Sequence, residues 1–444
     1  MNKLFEEFSK PSYSDWVNQL NKDLKGQSDD LIKRVDTIEE LSFNSFHHAQ
    51  SVNTEAQNSL ENPYIRNTFN FDNKWENVGN VIVLEELSAN QKALELLNLG
   101  ATSLRFEIKN KSINWKQLTN EIQLQYIQTT FKISSLEEFI SIQQNFNEEE
   151  LKTIFYELEL NDLSENDWFE LSKLLKSNQQ YTLIANGYAV QQCGATTWQE
   201  IAYCLAVGHE YLVQLTSNGL TIDEAAACIH FNIGVGATYF YEIAKIRVLR
   251  ILWGKIIEEY QPKHNCSLST RINGFTGFTN KSLKDPHTNL LRQTTESMSL
   301  IFGGVQSICV QPYDLYSRKQ PSSLTTRMSI NIPLILQEES YLDKVIDPLG
   351  GSYVVEYLSN EIADKSWSLF QKIESAGGIS VKSSLDDFST SIKEKAIIRK
   401  QRIQEKTDTL IGINIFPNPI DEDNEWIPME SYLNLQPLIL EQSI

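Results

Sequence analysis

From about residue 76 onward the chain alternates two rhythms. Short apolar runs rich in β-branched residues, such as NVIVLEE from Asn80 and TSLRFEI from Thr102, are separated by stretches of 3.6-residue period, such as NQKALELLNLG from Asn90. The same reading predicts strands at LQYIQTTF, TIFYELEL, YTLIANGY, SLSTRING and SICVQPYD, seven in all, with an eighth not located. Two long helical patterns lie among them. TTWQEIAYCLAVGHEYLVQLTSNG stops at Gly219, and GVGATYFYEIAKIRVLRILWGKIIEEY runs until Pro262. Strands alternating with helices imply parallel pairing through crossover helices. Seven or eight such units over about 300 residues fit an α/β fold of the closed (β/α)8 barrel (TIM barrel) type.

The two ends of the chain read differently. Near the start, SDWVNQLNKDLKG places Trp16, Leu20 and Leu24 at helical spacing, so residues 1–45 form an expected N-terminal helical extension. The barrel is then expected over 46–416, followed by a C-terminal tail over 417–444 that carries Leu433, Leu435, Leu438 and Leu440. Each of these apolar faces needs a surface to pack on, either this barrel or a partner.

Charge narrows the function. With 39 Lys and Arg against 58 Asp and Glu among 444 residues, the net charge is −19, which opposes binding to nucleic acid or to an anionic membrane. No apolar run approaches the ~20 residues of a membrane span, and the opening MNKLFEEFSKPSYSDW lacks the apolar stretch of a signal peptide, so a cytoplasmic location is expected. Cys193, Cys204, Cys228, Cys266 and Cys309 are odd in number and scattered, and read as buried thiols. The histidines fall in no metal-binding spacing, so no metal site is expected. GVGATYF resembles half of a dinucleotide loop without its third glycine and reads as packing.

The stretch DPHTNLLRQTTESMSLIFGGVQSICVQPYD, followed by LILQEESYLDKVIDPLGGSYVVEYL and IESAGG, resembles the barrel domain of the methylmalonyl-CoA mutase family, with weaker similarity from residue 76 to GINIF at 412–416. The resemblance implies a (β/α)8 barrel related to one in which a coenzyme A thioester threads the axis. In that family adenosylcobalamin, carried on a C-terminal flavodoxin-like domain, converts (R)-methylmalonyl-CoA to succinyl-CoA. Catalytic members carry Tyr-His-Met-Gln-Glu-Ala-Gly-Ala after one strand, and the histidine donates to the thioester oxygen. Here the run is Tyr188, Ala189, Val190, Gln191, Gln192, Cys193, Gly194, Ala195, so the donor position is degenerate at Ala189. The loss of one such donor takes away about 2.7–4 kcal/mol of transition-state stabilisation.

Other parts of the family pattern are missing too. The Thr-Ile-Gln substrate segment has no counterpart between Thr153 and Gln180, and the Gln-Thr-Ser-Gly-Trp-Ser loop reads NGFTGFTNKSLK. Asp285-Pro286-His287 matches part of the cobalamin carriers' Asp-x-His-x-x-Gly, but it reads as a helix start, with Asp285 as N-cap and Pro286 at the first helical position. Gln306 in FGGVQS matches a glutamine near the corrin in catalytic members, and also reads as a strand-end cap.

The resemblance therefore implies a non-catalytic small subunit of a heterodimeric mutase of propionate metabolism. Its vestigial site would comprise Tyr188, Gln191 and Gln306, with no catalytic residue and no cofactor of its own. Adenosylcobalamin would sit in the partner large subunit, and the cobalamin domain would be lacking here. The alternative is a catalytic acyl-CoA mutase barrel that works with a separately encoded cobalamin-binding protein; a histidine at position 189 would favour it.

Overall fold

Eight strands pair in parallel, each with one face toward a ring of helices and the other toward the barrel axis. They are β3 (Glu76–Val83), β4 (Ser103–Ile108), β5 (Gln128–Ile133), β6 (Ile154–Leu158), β7 (Leu183–Asn186), β8 (Ile229–Val235), β9 (Ile272–Thr276) and β10 (Ser307–Cys309). They follow β1 (Lys33–Asp36) and β2 (Leu41–Asn44), which form an antiparallel hairpin. The order β6-β5-β4-β3-β10-β9-β8-β7 brings the first and last strands of the series together, as in a (β/α)8 barrel. Along the seam β6 and β7 lie side by side without a ladder among the described residues, and Asn186 Nδ2 donates to Glu157 Oε1 across it at 3.5 Å. The structure is a computed structural model that describes residues 11–25, 32–48, 72–110, 113–133, 135–158, 163–177, 183–319, 321–418 and 424–444.

The strand missing from the sequence reading is β8, IHFNIGV. Its axis-facing residues include His230 and Asn232, and its last residues run straight into GATYF, so the segment read as the start of a helix. That helix begins at Tyr239. The extension also holds more than the amphipathic helix Tyr13–Asp23, because β1 and β2 follow it. Their turn forms where Asp36 Oδ1 accepts from the backbone of Ile38 (2.9 Å) and Glu39 (3.0 Å). The helix start expected at Asp285 is displaced. Helix Thr288–Gly303 has His287 at its cap, with no side-chain capping bond, and the entry turn is closed by Asn289 N–H donating to the Pro286 carbonyl at 3.2 Å. Cys193, Cys204, Cys228 and Cys309 are buried, but Cys266 is exposed.

Outward-facing residues such as Leu104, Phe106, Phe131 and Phe231 meet the helices in one continuous core. Helix Thr197–Ser217 starts with a capping box, in which Gln199 N–H donates to Thr196 Oγ1 at 3.3 Å and Thr196 N–H to Gln199 Oε1 at 2.9 Å. Helix Tyr239–Glu259 is buried on nearly every side, and three of its cations, Lys245, Arg247 and Arg250, are buried and bonded rather than solvated. Lys245 reaches Glu200 at 2.7 Å, Arg247 reaches Glu356 at 2.6 Å and also Asp347, and Arg250 donates to the Gly303 carbonyl at 2.8 Å. These bonds tie helices distant in sequence to one central element.

Gly208 marks where that packing is tightest. A methyl group there would lie 2.8 Å from Trp253 and 3.2 Å from Phe231. Alanine gains about 0.5–1 kcal/mol in helix propensity over glycine, but overpacking a close-packed core costs about 1–3 kcal/mol. The expected outcome for Gly208→Ala is a net loss of about 1–2 kcal/mol in urea unfolding; a gain would show that the Trp253 contact yields freely.

Candidate functional site

A (β/α)8 enzyme keeps its chemistry at the carboxyl ends of its strands. Here Tyr188, Ala189 and Gln191 stand at that end, on the short helix Gly187–Gln192 directly after β7. Asn186 begins this helix, its Oδ1 accepting from Ala189 N–H at 3.4 Å. The Tyr188 ring stacks on Phe275 with centroids 4.9 Å apart, and its hydroxyl accepts from Gln311 Nε2 at 2.7 Å. Burial pushes the phenol well above its ordinary pKa, so the hydroxyl stays protonated. Gln191 is turned against β8, where a methyl on Gly234 would come within 2.5 Å of its Oε1. Its neighbour Gln192 accepts from Phe278 N–H at 2.7 Å through Oε1 and donates from Nε2 to Gln191. The amides that face the mouth thus bond to one another and to backbone.

Below Tyr188 the axis is filled with charge. Arg105, 7% exposed, donates to Glu157 at 2.7 Å and to Asn80 at 2.7 Å, approaches Glu107 at 3.4 Å, and lies over the Phe275 ring at 5.5 Å. Burial alone would favour the neutral forms, but Glu157 and Glu107 hold Arg105 protonated, and Arg105, Lys132 and Lys109 pull Glu107 down to about 2. One layer lower, Asn273 Nδ2 donates to Asn232 at 2.9 Å, Ser307 Oγ to Asn273 at 2.8 Å, and Arg271 to Glu76 at 2.5 Å. The space left among these side chains is about 20 Å³. That is room for about one water molecule, whereas small-molecule pockets run to ~300–1,000 Å³.

The amino end holds a larger hollow of about 780 Å³, lined by Asp223, His230, Lys263, His264 and Arg271, among others. Gln306 belongs to this end. It precedes β10, where its Oε1 accepts from Ile272 N–H at 2.8 Å and its Nε2 donates to the Gly304 carbonyl at 3.2 Å. The structure therefore brings Tyr188 and Gln191 together and puts Gln306 at the opposite end of the barrel, joining the starts of β9 and β10. His287 is exposed at a helix entry, and Asp285 is directed toward Gly412. Among the described residues no group of three or more His, Cys, Asp or Glu is placed to hold a metal ion.

The residues that fill the axis were not found by sequence reading. The signal available was Arg105 and Glu107 within the otherwise apolar run TSLRFEI, at alternate positions on one face of a strand.

The family model for methylmalonyl-CoA mutase matches residues 155–434. The chain belongs to the methylmalonyl-CoA mutase family. Within it, the methylmalonyl-CoA mutase small subunit of Porphyromonas gingivalis is 32% identical over 94% of this chain and 71% of that protein. The mutase of Rhizobium meliloti is 35% identical over 53% of this chain and 34% of its own length. The human mitochondrial mutase is 37% identical over 52% of this chain and 30% of its own. The chain thus aligns along most of the small-subunit relative and about a third of the other two.

Acid stability offers a check on the amino-end layer. Burial and the neighbouring Arg271 lower His230 to about 3 from its ordinary value of 6.5. Between these values the unfolded chain takes up a proton that the folded chain refuses, so His230's contribution is whole above pH 6.5 and is lost as pH falls. Glu107 adds its own loss only below its ordinary value of 4.5. From pH 6.5 to 5, His230→Gln is expected to flatten the dependence of unfolding free energy on pH by up to one proton, ~1.4 kcal/mol per unit. An unchanged slope in urea titrations would place His230 in solvent.

Proposed function

We propose that this chain is the non-catalytic small subunit of a heterodimeric, adenosylcobalamin-dependent methylmalonyl-CoA mutase of propionate metabolism, and that it supports a large subunit which performs the isomerisation. The observation that carries this reading is the filled axis. A thioester threading the barrel would have to displace Arg105, Glu157, Asn273 and Phe275, and breaking one buried ion pair alone costs about 3–5 kcal/mol. Two further features support it. Ala189 offers no side-chain donor, and the Tyr188 hydroxyl is already bonded to Gln311. The Asp285–His287 segment leads into helix Thr288–Gly303, and in this reading adenosylcobalamin belongs to the partner. No described helix is long and apolar enough to cross a membrane.

The partner contact is assigned to the extension. Helix Tyr13–Asp23 has no buried residue, and its Tyr13 and Trp16 rings gather with Phe46, the Trp16–Phe46 centroids 4.7 Å apart. The leucines near residue 440 behave differently, because Leu435 and Leu438 are buried in this chain.

The isolated chain is expected to show no heat of binding with succinyl-CoA in calorimetry and no turnover of methylmalonyl-CoA with added adenosylcobalamin. Ala189→His is expected to restore neither. Stoichiometric thioester binding or turnover by either protein would favour a catalytic barrel served by a separate cobalamin protein. The double variant Trp16→Ala, Leu20→Ala is expected to weaken co-elution with the large subunit at least tenfold while circular dichroism stays unchanged; undiminished assembly would remove this helix from the interface.

A further inference from the structure

Residues 424–444 run across the carboxyl-end mouth of the barrel. Their contacts fall on the segments that follow β4, β7, β9 and β10. After β10, Arg318 N–H donates to the Glu425 carbonyl at 2.7 Å, and Ile427 N–H to the Tyr316 carbonyl at 2.8 Å. Just beyond β4, Lys109 pairs with Glu430 at 2.5 Å. Past β7, Leu438 N–H donates to the Gln192 carbonyl at 2.7 Å, and Leu440 N–H to the Thr279 carbonyl after β9 at 3.0 Å. Gly194, at φ +100°, makes the approach possible, since a methyl there would stand 3.1 Å from Leu438.

One side chain closes the arrangement. Glu441, 4% exposed, is held by four hydrogen-bond donors: Ser282 Oγ at 2.6 Å, Leu283 N–H at 2.9 Å, Lys284 N–H at 3.1 Å and Trp426 Nε1 at 2.6 Å. Ser282 and Leu283 are themselves buried with this segment in place, so Glu441 stands where water would otherwise satisfy these donors. Because Trp426 lies at the beginning of the segment, the bond to Glu441 joins its two ends. Between them, the turn at Tyr432–Leu435 holds Leu433 (φ +51°) and Asn434 (φ +57°) in the left-handed region, which is strained for leucine.

We propose that residues 424–444 are a self-docked strap that keeps the barrel mouth shut, with the Glu441 carboxylate on the 282–284 loop as its latch. Held in this way, the strap covers the face on which any ligand or cofactor-bearing domain would have to land. The inference goes beyond the non-catalytic reading and stands apart from it, since a strap would behave alike over an inert or an active mouth.

The test uses the full chain and Glu441→Gln, a variant of equal size, with hydrogen exchange and thiol labelling. Cys193 is buried beneath the strap, its Sγ 3.9 Å from the Leu435 carbonyl, and serves as a reporter of opening. The expected result is a rise of at least tenfold in exchange across 425–442 as a unit and in Cys193 labelling by a disulfide reagent, with β4 and β9 amides unchanged. Exposed Cys266 labels rapidly in both proteins. Faster exchange confined to 282–285 would show a local bond without a latch, and unchanged exchange would show no role for Glu441; either overturns the proposal. A variant that exchanges faster everywhere is compared through Glu441→Asp, which keeps the charge. If that form also opens throughout, the strap is part of the global fold and the proposal fails.

Discussion

The buried pair between Arg105 and Glu157 decides what the inside of this barrel can be. Two charges taken out of water are tolerated only when each is met by an opposite charge and by hydrogen bonds, and that requirement recruits Asn80, Glu107 and Asn186 around them. Once those groups are committed, about 20 Å³ of space is left among them. The strands of an ordinary (β/α)8 barrel fill the axis with layers of branched apolar residues. Here the apolar residues of the interior, Val78, Phe155, Ile184, Phe275 and Cys309 with Tyr188 against them, share the axis with polar layers.

A second consequence follows for the outer shell. Helix Tyr239–Glu259 carries Lys245, Arg247 and Arg250 into the protein, each with its own acceptors on other elements. Burial pushes Glu200 upward even with Lys245 beside it, so this junction depends on Lys245 to hold its charge. The scaffold is thus held by a few demanding polar contacts set within a large apolar core, a construction in which removing one partner is worse than never having had the pair.

Much of the architecture was legible in the sequence because period-2 and period-3.6 patterns separate cleanly wherever the outward face is apolar. Seven strands and both long helices were found on that signal. β8 was not, because His230 and Asn232 on its inner face and the glycines at its end imitate a loop leading into a helix. At the mouth, Ala189 was legible as a missing donor, and the structure puts it beside Tyr188 as the motif order requires. Gln306 was legible as a strand-end cap, and its amide does join two strand starts, although the sequence alone carries no information on which end of the strands it occupies. The helix entry at His287 and the exposure of Cys266 depend on tertiary packing, which a pattern of apolar residues does not encode.

The seam between β6 and β7 gives the barrel a property that a fully laddered cylinder lacks. Among the described residues seven ladders run from β7 round to β6, and Asn186 reaches Glu157 across the last gap. Mechanically this is a split ring. A closed hoop of hydrogen bonds resists any change of radius, because widening it stretches every rung; a split ring widens by parting its lips, with the ladders intact. The lips here carry Glu157 and Asn186, so the weakest line of the wall adjoins the most highly charged part of the interior, and water entering the axis would find its shortest path there.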